Sequence, residues 1–195
     1  MSLRVLVVCT GNICRSPIAE RVLGARLAAA GIDAVVTSAG TGAYPGQSMT
    51  PEAAERVRRL GADPTGHGAR QLTERSVAEA DLVLTATTDH RAAAVTLVPR
   101  AVRRIFTLRE FAGLAAIAEL PGSGDAGAPA DPREVIEAVA AARGLRVPVG
   151  PGADDVVDPF RCDAAVYDEA AARIDEAVDA AVRAFTGRRV DVGGG

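Results

Sequence analysis

Cys9, Arg15 and Ser16 lie close together in the stretch RVLVVCTGNICRSPIAERV, Arg4 to Val22. Cysteine attacks as the thiolate, and converging N–H dipoles with a nearby cation lower its pKa by several units from about 8.5. A strand ending at Cys9, a short loop and then a helix would supply both. The loop and the helix N-terminus turn backbone N–H groups toward an anion above the strand's carboxyl end, with the sulfur at the floor of the cradle. Arg15 closes the loop and offers a planar fork to an oxyanion. Ser16 is placed both to cap the helix and to hydrogen-bond a thiolate. The chemistry open to these residues is that of a thiolate facing a bound oxyanion. The alternative is a well-packed turn in which Cys9 is a small core hydrophobe.

The elements needed to position them can be read along the chain. Leu3–Val8 is a continuous β-branched run, as in a strand buried on both faces of a parallel sheet. Ile18, Val22, Leu23 and Leu27 recur at helical spacing over Ser16–Ala30, and Gly31 is a terminator. Ala34–Thr37 reads as a second strand, and Thr50-Pro-Glu opens a helix that runs to Leu60. Asp81–Thr85 is a third strand, followed by a helix through His90 to Leu97, and Arg104–Thr107 is a fourth. This alternation predicts an α/β fold: one domain with an open, parallel, four-stranded sheet and helices on both faces. The domain is expected over residues 1–186, with 187–195 a flexible tail. Residues 113–157 differ in texture and read as a variable, insertion-like segment, either a lid or partner surface or a tolerated insertion. Within it, Pro121–Pro132 reads as a mobile loop, Asp131-Pro-Arg-Glu caps a helix to about Arg143, and a last helix spans Ala164–Phe185.

Composition narrows the classes of function. A chain of 195 residues can bury one core without disulfides, and three cysteines, an odd number, do not make a disulfide framework. All its basic residues are arginine, so the nucleotide loop that depends on lysine is excluded. A net charge of −3 argues against broad binding to nucleic acid. No apolar run approaches a membrane span and no secretion signal is evident, so a cytoplasmic protein with no membrane insertion is expected. Zinc binding by Cys9, Cys14, Cys162 and a histidine lacks any C-x2-C or H-x3-H pair, so no metal is expected.

The segment VCTGNICRSPIAE resembles the phosphate loop of the low-molecular-weight protein tyrosine phosphatases, well beyond the bare C-x5-R skeleton. TSAGTGAY (Thr37–Tyr44), GHGARQLT (Gly66–Thr73) and DPF (Asp158–Phe160) resemble three further segments of that family, leaving 113–157 as the part poorly covered. The resemblance implies a phosphate-binding loop after the first strand and hydrolysis of phosphotyrosine through a phosphocysteine, without cofactor. By the same resemblance Cys9 is the nucleophile, Arg15 and the N–H groups of Thr10, Gly11, Asn12, Ile13 and Cys14 hold the phosphoryl oxygens, and Asp158 is the general acid. Ser16 stabilises the departing sulfur. Asn12, Ser38 and His67 hold the loop in shape, and Tyr44 and Phe160 wall the substrate ring. The partners implied are a phosphotyrosine-containing protein and phosphate or another tetrahedral oxyanion. In the family a second cysteine at the Cys14 spacing pairs with the nucleophile and shields it from over-oxidation.

Other readings stand beside these. Packing alone accounts for Cys14 equally well, and Cys162 has no assignable role. Asp-Pro commonly starts a turn, with Asp154 and Asp155 as the fallback acids. His67 could be a surface turn residue, and His90 reads as an exposed residue in a helix's first turn. Thr50 and Thr87 stand where the family usually has carboxylates, which removes two charges near the site. Arsenate reduction on the same fold is an alternative, although the segment after the third strand holds no cysteine to pass oxidation to. A catalytically weak phosphate- or phosphopeptide-binding module is another, although nucleophile, arginine and acid are all present.

Overall fold

The structure, a computed structural model, describes residues 2–121, 131–147 and 149–187. Four strands, β1 (Leu3–Cys9), β2 (Ala34–Gly40), β3 (Leu82–Thr85) and β4 (Ile105–Thr107), form one parallel sheet in the order β2-β1-β3-β4. Alternation along the strands sorts the core into two layers. Leu3, Val5, Val7, Leu82, Leu84 and Phe106 face one side, and Leu6, Val8, Val83 and Ile105 face the other.

Helices cover both faces, as expected. On the first lie α1 (Arg15–Ala29), α2 (Pro51–Arg59), α5 (Leu108–Ala115), α6 (Pro132–Ala141) and α7 (Ala164–Thr186). The second is covered by α3 (Glu74–Glu79), α4 (Thr88–Leu97) and the 3-10 turn Pro99–Arg104. Ile18, Val22, Leu23 and Leu27 of α1 are all fully buried, the stripe that the helical spacing implies. On the flank of α1, Arg26 reaches Asp175 and Asp179 of α7 at 2.6 and 2.7 Å and ties the two helices together.

The chain moves from β1 outward to β2, then returns to β3 on the other side of β1. The carboxyl ends of β1 and β3 are therefore the point where strand order reverses, the usual ligand crevice of an open α/β sheet. Cys9 ends β1 at that point.

Two details differ from the expectation. β2 continues to Gly40, so that Gly40 pairs with Cys9 at the edge of the loop. Two helices begin without an apolar run long enough to announce them: α3 and α5, each started by a threonine capping box, Thr73 with Ser76 and Thr107 with Glu110. Within 113–157, α5 closes at Ala115, and α6 is followed by a 3-10 turn, Ala142–Leu145. The expected loop lies outside the described residues over 122–130, as does the expected tail beyond Gly187.

Candidate active site

The loop from Thr10 to Cys14 is built by turning its carbonyls outward. Cys9 O accepts from Thr41 N, Thr10 O from Gly42 N, Asn12 O from His67 Nε2 at 2.7 Å and Ile13 O from Thr50 N. In a trans peptide the N–H of the next residue points opposite to the carbonyl. The N–H groups of Thr10, Gly11, Ile13 and Cys14 therefore face the concave side. Asn12 makes the turn with φ +56, a left-handed conformation that asparagine tolerates. Gly40 permits the fit: a Cβ there would lie 2.3 Å from Thr10 O and 3.0 Å from Asn12 N.

Below the loop a buried polar chain has its donors fixed by elimination. Arg70 N donates to Asn12 Oδ1, which orients the amide, and Asn12 Nδ2 then donates to Ser16 Oγ at 2.8 Å and to Ser38 Oγ at 2.7 Å. Ser38 in turn donates to Glu20. Ser16 keeps its own proton for Cys9 Sγ, 3.0 Å away and likewise buried. Burial alone would raise the Glu20 carboxyl, but the nearby His67 ring and the bond from Ser38 outweigh it and lower its pKa. The chain thus ends on a carboxylate and directs a hydroxyl proton at the sulfur. The expected capping role of Ser16 is not found. Helix α1 starts at Arg15 with Cys14 at the cap position and no side-chain cap, so Ser16 lies inside the first turn, where its hydroxyl can reach Cys9.

Arg15 is buried, and its guanidinium faces the segment that carries Val156 and Asp158. Nη1 donates to Val156 O at 3.2 Å, and Nη2 contacts Asp158 Oδ2 at 2.7 Å and Thr10 Oγ1 at 3.4 Å. Its Nε is buried with no hydrogen-bond partner among the described residues. An orphaned buried donor is costly. A tetrahedral oxyanion in the loop would satisfy it, in the two-pronged manner of guanidinium.

Asp158 is half-exposed, and its Oδ1 accepts from Phe160 N. The segment is pinned across the end of β3 by Val156 N to Ala86 O and by Asp155 Oδ1 accepting from Thr88 N. Asp154 is gripped by Arg146 at 2.7 Å through both oxygens. Asp154 and Asp155 are therefore committed elsewhere, while Asp158 faces the arginine. Phe160 and Tyr44 are exposed aromatics on the loops after Asp158 and after β2.

His67 is buried against the loop and close to Glu20, Nδ1 to Oε2 3.6 Å. Cys14 is buried, with Sγ near Tyr167 Oη at 3.6 Å and Thr50 Oγ1 at 3.8 Å, and burial pushes its thiol up. Cys162 is exposed beside the Asp158 and Phe160 carbonyls. Thr50 and Thr87 are the caps of α2 and α4, so they keep the helix-starting duty of a carboxylate while dropping its charge. His90 is buried rather than exposed: Nε2 lies 2.9 Å from Thr10 Oγ1. No sequence motif links those two residues. The available signal was the threonine three positions ahead of the histidine, a cap that turns the first helical turn inward.

Comparison with known proteins gives the family. Residues 4–142, well over half of the chain, match the family model described as low molecular weight phosphotyrosine protein phosphatase. The chain belongs to that family. A protein of Ralstonia solanacearum named probable low molecular weight protein-tyrosine-phosphatase EpsP is 48% identical over 80 residues, 41% of this chain and 52% of that protein. The protein-arginine-phosphatase of Bacillus subtilis is 36% identical over 107 residues, 55% of this chain and 71% of that protein. The solved structure of the low molecular weight protein tyrosine phosphatase from T. tengcongensis superposes with a TM-score of 0.68 at 30% identity, covering 92% of this chain and 97% of that one. In sequence, the chain spans about half the length of the EpsP relative it matches.

Proposed function

We propose that the protein hydrolyses phosphotyrosine, or aryl phosphate monoesters generally, through a phosphocysteine. The observation that carries this reading is the convergence of the Cys9 thiol, the unpartnered Nε of Arg15 and the Asp158 carboxyl on one loop whose carbonyls are turned outward. The Cys9 thiolate attacks phosphorus in line while Arg15 and the loop N–H groups hold the equatorial oxygens. The bond from phosphorus to the phenolic oxygen breaks, and Asp158 gives that oxygen its proton. The resulting Asp158 carboxylate then takes a proton from water, which attacks phosphorus. The S–P bond breaks to release phosphate, and the Ser16 hydroxyl stabilises the sulfur that leaves. The exposed rings of Tyr44 and Phe160 favour an aromatic leaving group, and a reducing cytoplasm suits a free thiol at Cys9.

The test is hydrolysis of an aryl phosphate in the presence of a chelator. Activity is expected to persist, to vanish in Cys9→Ser and to fall about 100-fold or more in Asp158→Asn. Because Asp158 occupies the Nη2 edge of Arg15, the same Asp158→Asn change is expected to tighten binding of inorganic phosphate. Tight phosphate binding without turnover in the wild type would reduce the site to a binding module. A second reading, hydrolysis of phosphoarginine, draws on the name of the Bacillus subtilis relative. Rates on phosphotyrosine and phosphoarginine peptides separate the two.

Cys14 belongs to the same proposal as a guard of Cys9. Mild peroxide is expected to inactivate reversibly, and Cys14→Ala to make the loss irreversible. Equal recovery in both proteins would leave Cys14 a packing residue.

A further inference from the structure

His90 has no part in the displacement described above, yet it is buried with both ring nitrogens engaged. It sits in the first turn of α4, just beyond the carboxyl end of β3. Nδ1 lies 2.6 Å from Thr87 Oγ1 and Nε2 2.9 Å from Thr10 Oγ1. Thr10 follows the nucleophile, and its hydroxyl oxygen also receives Nη2 of Arg15 at 3.4 Å. We propose that His90 is a positioning residue for phosphoryl transfer: strung between Thr87 and Thr10, it fixes the Thr10 hydroxyl as a donor to the bound oxyanion and steadies the arginine beside it. The inference rests on the phosphatase reading above.

The proton directions follow from the partners. Thr87 Oγ1 accepts the His90 backbone N–H at 3.3 Å as the cap of α4, and the hydroxyl proton then has Nδ1 as its acceptor within reach. The ring proton is left on Nε2, where it donates to Thr10 Oγ1. That oxygen now accepts from both His90 and Arg15, which uses its two lone pairs. Its own proton remains for a third partner, and an oxyanion on the Nη2 edge of Arg15 is the acceptor closest to hand. Reversing the ring tautomer would turn the Thr10 proton toward Nε2 and away from the oxyanion.

The scheme needs a neutral ring, and the surroundings provide one. Burial first and the Arg15 cation second hold His90 down at about 4, while Asp158, Asp89 and Asp155 pull the other way. A protonated ring would donate from both nitrogens and reverse the Thr87 hydroxyl. The threonine at 87, in place of a carboxylate, therefore suits this arrangement, since it offers the ring a proton where a carboxylate would demand one.

The test compares His90→Gln, His90→Asn, Thr10→Val and the double variant His90→Asn/Thr10→Val. The readouts are steady-state kinetics on an aryl phosphate and calorimetric affinity for orthovanadate. Glutamine is long enough to place an N–H near the position of Nε2, whereas asparagine reaches only as far as Nδ1. His90→Asn is expected to lower kcat about 10-fold or more, with KM within about twofold, and to weaken vanadate to a similar degree. His90→Gln is expected to recover most of both losses at a matched melting temperature. Thr10→Val should reproduce the asparagine effect, and the double variant should be no worse than the poorer single. Wild-type kcat in His90→Asn, equal impairment of Asn and Gln, or losses that multiply in the double variant would overturn the proposal. A wild type that turns nothing over would instead sink the phosphatase reading. In that case vanadate affinity still decides the role of His90, since it must weaken with asparagine and return with glutamine.

Discussion

At the scale of single residues, the site depends on where protons point. Asn12 spends its two amide protons on Ser16 and Ser38, which leaves the Ser16 hydroxyl for Cys9. That hydrogen bond matters most when sulfur is the leaving group. Ser16→Ala is therefore expected to slow breakdown of the phosphocysteine more than its formation. Rapid mixing should then show a burst of phenol followed by a steady rate reduced about 10-fold or more. A slow rate without a burst would place the serine in the first step instead. Cys9, Arg15 and Ser16 could be picked out in the sequence because strand end, loop and helix start lie on one continuous segment. His90 could not, because its partner lies 80 positions away and its burial depends on how α4 leaves β3. Thr87 shows a related blind spot, unlike Thr50, whose Thr-Pro-Glu segment announces the helix start. A lost charge is visible in a sequence, whereas a retained helix cap is visible only once the helix start is known.

At the scale of elements, two junctions hold the chemistry in register. The first is the close approach of β2 to the loop at Gly40. Gly40→Ala is expected to cost roughly 1–3 kcal/mol, since the new methyl would meet the Thr10 carbonyl, the far side of the cradle. Denaturant unfolding and kcat should fall together, and an unchanged midpoint would contradict the packing described. The second junction pins the segment leading to Asp158, the proposed acid, by Asp155 to Thr88 N and by Val156 N to Ala86 O. Loosening it with Asp155→Ala is expected to slow phenyl phosphate more than p-nitrophenyl phosphate, because the poorer leaving group depends more on a placed proton. An equal effect on both would mean that the segment serves some other step. The strands and long helices were legible from periodicity. The six-residue α3 and the helix α5 were not, because capping boxes rather than apolar stripes start them.

At the scale of the whole molecule, the alternation of strands and helices was enough to give a parallel sheet with both faces covered, because that pattern has few other solutions. The strand order, which puts Cys9 where the winding reverses, was visible only in three dimensions. Folding around a neutral histidine also sets a pH response. The ordinary histidine value is 6.5 and the folded value about 4, so between these the unfolded chain binds more protons. Stability is then fully present above about pH 6.5 and declines as pH falls toward 4, by at most about 3 kcal/mol from this group. At lower pH the Glu20 carboxylate, lowered in the fold by His67 and Ser38 against the pull of burial, adds a further loss as it protonates. Urea midpoints across that range should show the first decline in the wild type and little of it in His90→Gln. A decline of equal size in both would remove His90 as its source.

The central claim is covalent. Wild-type protein mixed with an aryl phosphate and quenched in acid within the first turnovers should carry a phosphoryl group on the peptide containing Cys9, and Ser16→Ala should carry more of it. Turnover with no phosphoryl group on that peptide, or with one on another residue, would contradict the account.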